Sequence, residues 1–255
     1  MDDDPGLAVP PDVLAIDPER MRALGYAMVD RTIAHLTGIG DLPAIREADA
    51  ATLGEELDGP VPLGPHDLAA DLATLADVAL AHQQHGDHPR YFARVPGPSS
   101  FPGILADWLG TGLQSVASSW GGGSGPTTIE LVALAWMREA LGLAPDCEGI
   151  LLSGGSMANI TALVAARQLH GDGVIYLSDQ AHASIARGLR AMGTPEASIR
   201  IVPTDARLRL DPDEVRRAVA VDRAAGLRPA TIVATAGTTN TGAVDDLPAL
   251  SGICQ

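Results

Sequence analysis

The sequence contains no lysine; all 17 of its basic residues are arginine. That bias accompanies a richness in Ala, Gly and Pro, but its chemical consequence does not depend on its origin. No side chain here supplies a primary amine, so any chemistry that needs one from this chain is excluded. Positive charge is scarce as well. With 32 acidic residues the formal net charge is −15, and such a chain has little with which to displace counterions from a nucleic-acid backbone. Two cysteines, Cys147 and Cys254, stand far apart without CxxC spacing, which favours separate thiols over a disulfide or a thiolate metal site. No apolar run reaches the length of a membrane span, and the opening MDDDPG lacks the basic and apolar regions of a signal peptide. No GxGxxG occurs, so dinucleotide binding has no support. These absences together predict a cytoplasmic protein with neither nucleic-acid nor membrane partners.

What is present is enough for a sizeable core: 255 residues, 46% hydrophobic and 19% charged. Residues 1–16 are acidic and proline-bearing and read as a flexible arm. Asp17-Pro18-Glu19-Arg20 is a helix start, followed by Met21, Leu24, Met28, Ile33 and Leu36 on a helical stripe. Residues 38–65 read as loop, and further helices are predicted over 67–85, over 101–116 and from Pro126. From 149 the pattern changes. Strands are predicted at 149–152, 173–177, 199–202 and 230–235, alternating with helices, of which the clearest begins at Asp211-Pro212-Asp213-Glu214. That alternation means a largely parallel α/β sheet. The organisation predicted is an arm (1–16), a helical N-terminal segment (17–120) and an α/β domain (121–255).

Three stretches carry the candidate chemistry. In ILLSGGSMAN, 150–159, an apolar strand end meets a glycine turn and then a helix. Such a turn aims free N–H groups and a helix N-terminus at one spot, favouring an anion such as phosphate; a tight connection holding no ligand is the competing reading. In SDQAHAS, 178–184, a strand runs into a loop with His182 at a helix start. In ATAGTTNTG, 234–242, a strand ends in small hydroxyl residues and glycines. The carboxyl ends of parallel strands share one edge, where ligands bind, so all three stretches are expected to converge there. A nucleophile elbow at Ser156 is set aside, because the last histidine, His182, follows too soon for a hydrolase triad. His82, His85, Asp87 and His88 suggest a metal cluster, with His82 and His85 on one helical face. The stretch runs into a proline-directed strand, however, so a solvated helix end is the reading adopted and no metal is expected.

These stretches, in order with HPRYFARVPGPSSFPGILADWLG (88–110) and GPTTIELVALAWMREALGL (125–143), resemble the pyridoxal-phosphate-dependent group II amino-acid decarboxylases, relatives of aromatic-L-amino-acid decarboxylase. The resemblance implies the aspartate-aminotransferase-like fold (PLP fold type I), the cofactor pyridoxal 5'-phosphate, an amino-acid substrate and a homodimer. It implies that Gly155 and Ser156 bind the cofactor phosphate, that His182 stacks on the pyridine ring near the substrate carboxylate, and that Thr235 sits beside the cofactor and orients that histidine. The chemistry implied is loss of CO₂ with the ring as electron sink.

The departures are as informative. The family carries, beyond the position matching Gln255, an aspartate that pairs with the pyridine nitrogen and a lysine that forms the Schiff base. Asp245 and Asp246 match a loop position of the family instead. The chain is therefore expected to be the N-terminal portion of a decarboxylase, inactive alone: a fragment, a truncated product or one half of a split enzyme completed by a C-terminal half. The alternative is a non-catalytic paralogue that binds a full-length partner. A half-domain also leads us to expect an incomplete sheet and uncovered apolar faces. Arg94 and Ser118 stand where aromatic decarboxylases place aromatic side chains, which leaves room for an acidic or small polar substrate.

Overall fold

Aspartate sets most of the helix starts in the computed structural model, which describes residues 15–59, 67–92 and 97–255. Helix α1 (Pro18–Gly38) follows Asp17, whose carboxylate accepts the N–H groups of Glu19 and Arg20. Helix α2 (Ala50–Leu57) follows Asp49, which accepts from Ala51 and Thr52, and α3 (Leu68–Ala81) follows Asp67, which accepts from Ala69 and Ala70. Each cap satisfies otherwise unpaired N–H groups and opposes the helix dipole, contributing about 1 kcal/mol. Part of the chain's excess of acid is used this way. Helix α2 corrects the expectation of loop throughout 38–65. The Gly and Pro residues that suggested loop begin only at Gly59, leaving 49–57 free to fold behind its own cap. Residues 1–14 of the predicted arm, and Pro60 to His66 of the Gly/Pro-rich stretch, lie outside the described residues.

The chain divides into two compact units, Met1–Ser100 and Phe101–Gln255. In the first, the histidine stretch departs from the sequence reading. Helix α3 stops at Ala81, so His82 is its C-cap and shares no helical face with His85. His85 and His88 are buried, not solvated. His88 is held by two backbone groups: its Nε2 lies 2.9 Å from the carbonyl of Leu42, and its Nδ1 accepts the N–H of Arg90 at 2.9 Å. A ring that donates at Nε2 and accepts at Nδ1 is neutral. His85 packs against His35 with ring centroids 5.1 Å apart; burial first, and His35 second, push its pKa below the usual value. The cluster closes a turn. Among the described residues no group of three or more His, Cys, Asp or Glu is placed to hold a metal.

The second unit comprises α4 (Phe101–Leu113), α5 (Trp120–Ala140), α6 (Gly155–His170), β1 (Val174–Ser178), α7 (Ala183–Ala191), β2 (Ile199–Val202), α8 (Pro212–Ala224), β3 (Pro229–Val233) and α9 (Leu247–Ser251). Helix α5 begins a turn and a half earlier than expected and kinks at Gly123 (φ −156°, ψ 38°). Pro126 sits in the first turn beyond that kink, where its missing N–H costs no helical bond. The described strands form one parallel sheet in the order β2-β1-β3, with Ile175 opposite Ile199 and Leu177 opposite both Ile201 and Val233. Central β1 is buried along its whole length, as a strand covered on both faces must be. Val174 and Tyr176 pack with Val215 and Val219 of α8 and Leu250 of α9. Ile175 and Leu177 point the other way, into Leu163 of α6 and Ile185 and Leu189 of α7.

The strand expected at 149–152 does not form. Ile150 and Leu151 are 61% and 50% exposed, and the Leu151 N–H donates to the Glu130 carboxylate at 2.9 Å instead of to a neighbouring strand. A strand is made by its partner, and no described strand lies beside this segment. The outer helices are equally uncovered. Apart from Gly123, no described residue of α4 or α5 is buried, and Trp108, Leu109, Ile129 and Trp136 stand largely in the open. A three-stranded sheet beside helices with bare apolar faces matches the incomplete architecture anticipated from the sequence.

Gly173 sets how closely β1 and β3 approach. A Cβ there would lie 2.4 Å from the carbonyl oxygen of Arg228 and 2.7 Å from Cβ of Ala230, while the adjacent Val174 N–H donates to that same carbonyl at 2.8 Å. Gly173→Ala is therefore expected to cost about 1–3 kcal/mol of stability by overpacking, seen as a lower urea midpoint. An unchanged midpoint would mean that β3 moves aside freely.

Candidate cofactor site

Gly154 precedes α6 with φ 138° and ψ 171°, a backbone conformation that residues with a Cβ rarely adopt. Having no side chain, it offers the helix no cap. The first intrahelical bond runs from the Ala158 N–H to the Gly154 carbonyl at 3.0 Å, so the N–H groups of Gly155, Ser156 and Met157 precede the helical ladder. The turn is exposed, and no acidic residue occupies the first turn of α6. This end of α6 contrasts with the aspartate-capped helices: it presents bare donors and the positive end of a helix dipole, an arrangement suited to an anion.

His182 is the N-cap of α7, and its imidazole replaces the usual capping oxygen. Its Nδ1 accepts the Ser184 N–H at 3.2 Å and lies 2.8 Å from the Ser184 hydroxyl. That hydroxyl also accepts from the Asn159 side-chain amide at 2.8 Å. Asn159 belongs to the first turns of α6, so hydrogen bonds tie His182 to the helix that carries Gly155 and Ser156. The two helices pack closely: a Cβ on Gly188 of α7 would meet Ile160 of α6 at 2.8 Å.

Thr235 follows β3, two residues beyond its end. Its N–H donates to Asp245 Oδ2 at 2.7 Å, and its carbonyl accepts the Asp245 N–H at 3.0 Å. The other oxygen of this buried carboxylate accepts the Leu210 N–H at 2.8 Å. Asp245 thus clamps the segments that leave β2 and β3. Since β1 and β3 are parallel neighbours, His182 and Thr235 leave the sheet at the same edge, and the Asn159–Ser184 bond brings the start of α6 to the start of α7. The second and third stretches thus follow neighbouring parallel strands, while the first, with no strand before it, is joined to the second through the Asn159–Ser184 bond. Among the described residues no hydrogen bond joins Thr235 to His182 directly. Arg94 lies outside the described residues, and Ser118 is exposed.

Asn159, Ser184 and Asp245 were not singled out from the sequence as site residues. Ser184 had a signal, a hydroxyl two residues after a histidine at a helix start. Asp245 had a weaker one: Asp246 caps α9 through the Ala249 N–H, which leaves the preceding aspartate free to turn inward. For Asn159 there was none, since its partner is 25 residues away.

With this geometry in place, comparison with known proteins is specific. A family model described as the pyridoxal-dependent decarboxylase conserved domain matches residues 65–255. An aromatic-L-amino-acid decarboxylase of Bacillus atrophaeus is 37% identical over 95% of this chain and 52% of its own length. A tyrosine decarboxylase of Oryza sativa subsp. japonica is 33% identical over 94% of this chain and 49% of its own. A crystal structure of Oryza sativa TDC with PLP and tryptamine superposes with a TM-score of 0.87 at 25% identity, over 94% of this chain and 53% of that one. The chain spans about half the length of the curated relatives it matches. The fold is therefore that of the PLP-dependent decarboxylases, represented here by a small parallel sheet and a helical N-terminal segment.

Proposed function

Because the chain belongs to the pyridoxal-dependent decarboxylase family, we propose that it supplies the phosphate-binding and ring-facing part of a pyridoxal-phosphate-dependent L-amino-acid decarboxylase of the cytoplasm. In this reading Gly155 and Ser156 hold the cofactor phosphate through backbone N–H groups and the serine hydroxyl. His182 lies against the pyridine face near the substrate carboxylate, and Thr235 borders the ring beside it. Bound there, the cofactor supplies an electron sink for the pair left behind as CO₂ departs. Residues 121–255 form the cofactor-binding portion, and within the helical segment from residue 17 to 120 the N-terminal helix α1 packs across a partner subunit in a homodimer. The amine and the pyridine-nitrogen partner must come from residues outside these 255.

The observation that carries this reading is the uncapped N-terminus of α6 hydrogen-bonded, through Asn159 and Ser184, to His182. It fits a ligand with an anion at one end and a flat ring at the other. The test uses pyridoxine 5'-phosphate, which has no aldehyde and so cannot condense with the N-terminal amine. Calorimetric titration should show binding that is lost with pyridoxine, which lacks the phosphate. Ser156→Asp, which sets a carboxylate among the same N–H groups, should weaken the phosphorylated ligand at least about tenfold. Equal binding of both ligands would sink the assignment.

A further inference from the structure

We propose that Asn159 and Ser184 are positioning residues that lock His182 as the neutral tautomer with its proton on Nε2. The consequence for the cofactor site rests on the function proposed above; the tautomer itself does not.

One group in this network has no choice of role. The Ser184 backbone N–H can only donate, and it points at His182 Nδ1 from 3.2 Å. Nδ1 must therefore present a lone pair, and the proton of the neutral ring sits on Nε2. The Ser184 hydroxyl, 2.8 Å from that same nitrogen, then has one sensible orientation, donating its hydrogen to Nδ1. With its hydrogen directed at Nδ1, Oγ is left to accept, and Asn159 Nδ2 donates to it at 2.8 Å. Turning the Asn159 amide over would make its oxygen an acceptor for the serine hydroxyl. Ser184 Oγ would then need a proton from Nδ1, and an Nδ1–H would face the Ser184 N–H head on. The backbone donor thus settles the direction of every bond in the chain: Asn159 to Ser184 to His182.

Burial makes this directional chain persistent. Ser184 is buried, so water does not compete for its hydroxyl, and Asn159 is half-buried in α6. The donor left over, Nε2–H, is the one that faces away from α7's own backbone. In the proposed site that places an N–H, which has no hydrogen-bond acceptor among the described residues, toward a substrate carboxylate. The relay also makes the histidine's orientation depend on α6, so the phosphate-binding turn and the ring-facing side chain are held as one body.

The experiment is long-range proton–nitrogen NMR of the 255-residue chain labelled with ¹⁵N-histidine, at a pH where the rings are neutral, with His182 assigned from its loss in His182→Gln. The wild type should show Nε2–H as the dominant tautomer. Ser184→Ala should shift the tautomer ratio about fivefold toward Nδ1–H, the worth of one net hydrogen bond, and Ser184→Thr should restore it. Asn159→Asp is the isosteric control for folding. Its carboxylate accepts and cannot donate, so it draws the serine hydroxyl away from Nδ1 and should shift the ratio in the same direction as Ser184→Ala. A wild-type ring protonated on Nδ1, or a ratio indifferent to both Ser184→Ala and Asn159→Asp, overturns the proposal. Either result stands apart from the pyridoxine-phosphate titration, which reads the start of α6 and not the tautomer.

Discussion

Mixed with pyridoxal 5'-phosphate and reduced with borohydride, the 255-residue chain is expected to carry no pyridoxyl group on any side chain and to release no CO₂ from any amino acid. Covalent capture of the aldehyde requires an unprotonated side-chain amine, and lysine alone among the side chains provides one. This sequence has none, and no other residue substitutes: arginine stays protonated and its guanidinium is a poor nucleophile. Reversible binding through the start of α6 survives, because that contact is local to the turn. Mass spectrometry after reduction locates any adduct. One at the N-terminal amine is uninformative, since any α-amine condenses; one on an internal residue, or measurable CO₂, would prove the reading wrong. The complementary arm adds a polypeptide carrying the missing aspartate and lysine. If the two form one active site, activity should rise from background by a factor characteristic of enzymes, about 10⁶ or more. Association without CO₂ release would favour the non-catalytic alternative, in which the chain is a binding partner.

The glycine turn, His182 and the strand that precedes Thr235 were legible because each rests on local rules: a turn residue, a cap position, a change from helical to alternating pattern. So were the aspartate caps at Asp17 and Asp211. The failures have a common cause in partners distant along the chain. Residues 149–152 have the composition of a strand, and composition cannot say whether a neighbouring strand is there to accept the ladder. The histidines near 85 look polar enough to face water, yet His88 is buried because backbone groups of Leu42 and Arg90 satisfy both its nitrogens. Asn159 reads as an ordinary residue early in a helix until α7 is laid against α6. The family resemblance named the residues expected to face the cofactor but not the ones that hold them. Those are Ser184 and Asn159 behind His182, and Asp245 behind Thr235.

The sheet itself has a polar anchor whose removal should cost more stability than any other single change considered. Asp222 of α8 is buried, yet its carboxylate is fully engaged. The Tyr176 hydroxyl donates to Oδ2 at 2.9 Å, and Arg200 donates to Oδ2 at 3.1 Å and to Oδ1 at 2.8 Å. One side chain of α8 thereby pins central β1 and its neighbour β2. Asp222→Ala leaves a buried phenol without an acceptor and an arginine without its bidentate partner. Losing one member of a buried pair costs about 3–5 kcal/mol, and Arg200, with its side chain 30% exposed, recovers some hydration, so about 3 kcal/mol is expected. For a cooperative unit of this size that lowers Tm by about 6–12 °C. Tyr176→Phe, which removes one neutral donor, should cost about 1 kcal/mol.

The difference between wild type and Asp222→Ala also has a predictable pH profile. The Arg200 guanidinium, helped by the tyrosine hydroxyl, holds the Asp222 pKa below its ordinary value. A depressed carboxylate contributes fully above its unfolded pKa near 4 and loses that contribution as pH falls through the lower folded value. Burial, and then the carboxylate beside it, push Tyr176 well above the usual tyrosine range. A raised group contributes below its unfolded pKa near 10 and loses that contribution only as pH climbs through its folded value. The stability difference should therefore be flat from about pH 5 to about pH 10 and shrink in acid first. Urea unfolding of both proteins across that range measures it. A difference under about 1 kcal/mol at neutral pH, or one that grows as the solution is acidified below about pH 4, would show that Asp222 does not anchor the sheet as a charged carboxylate.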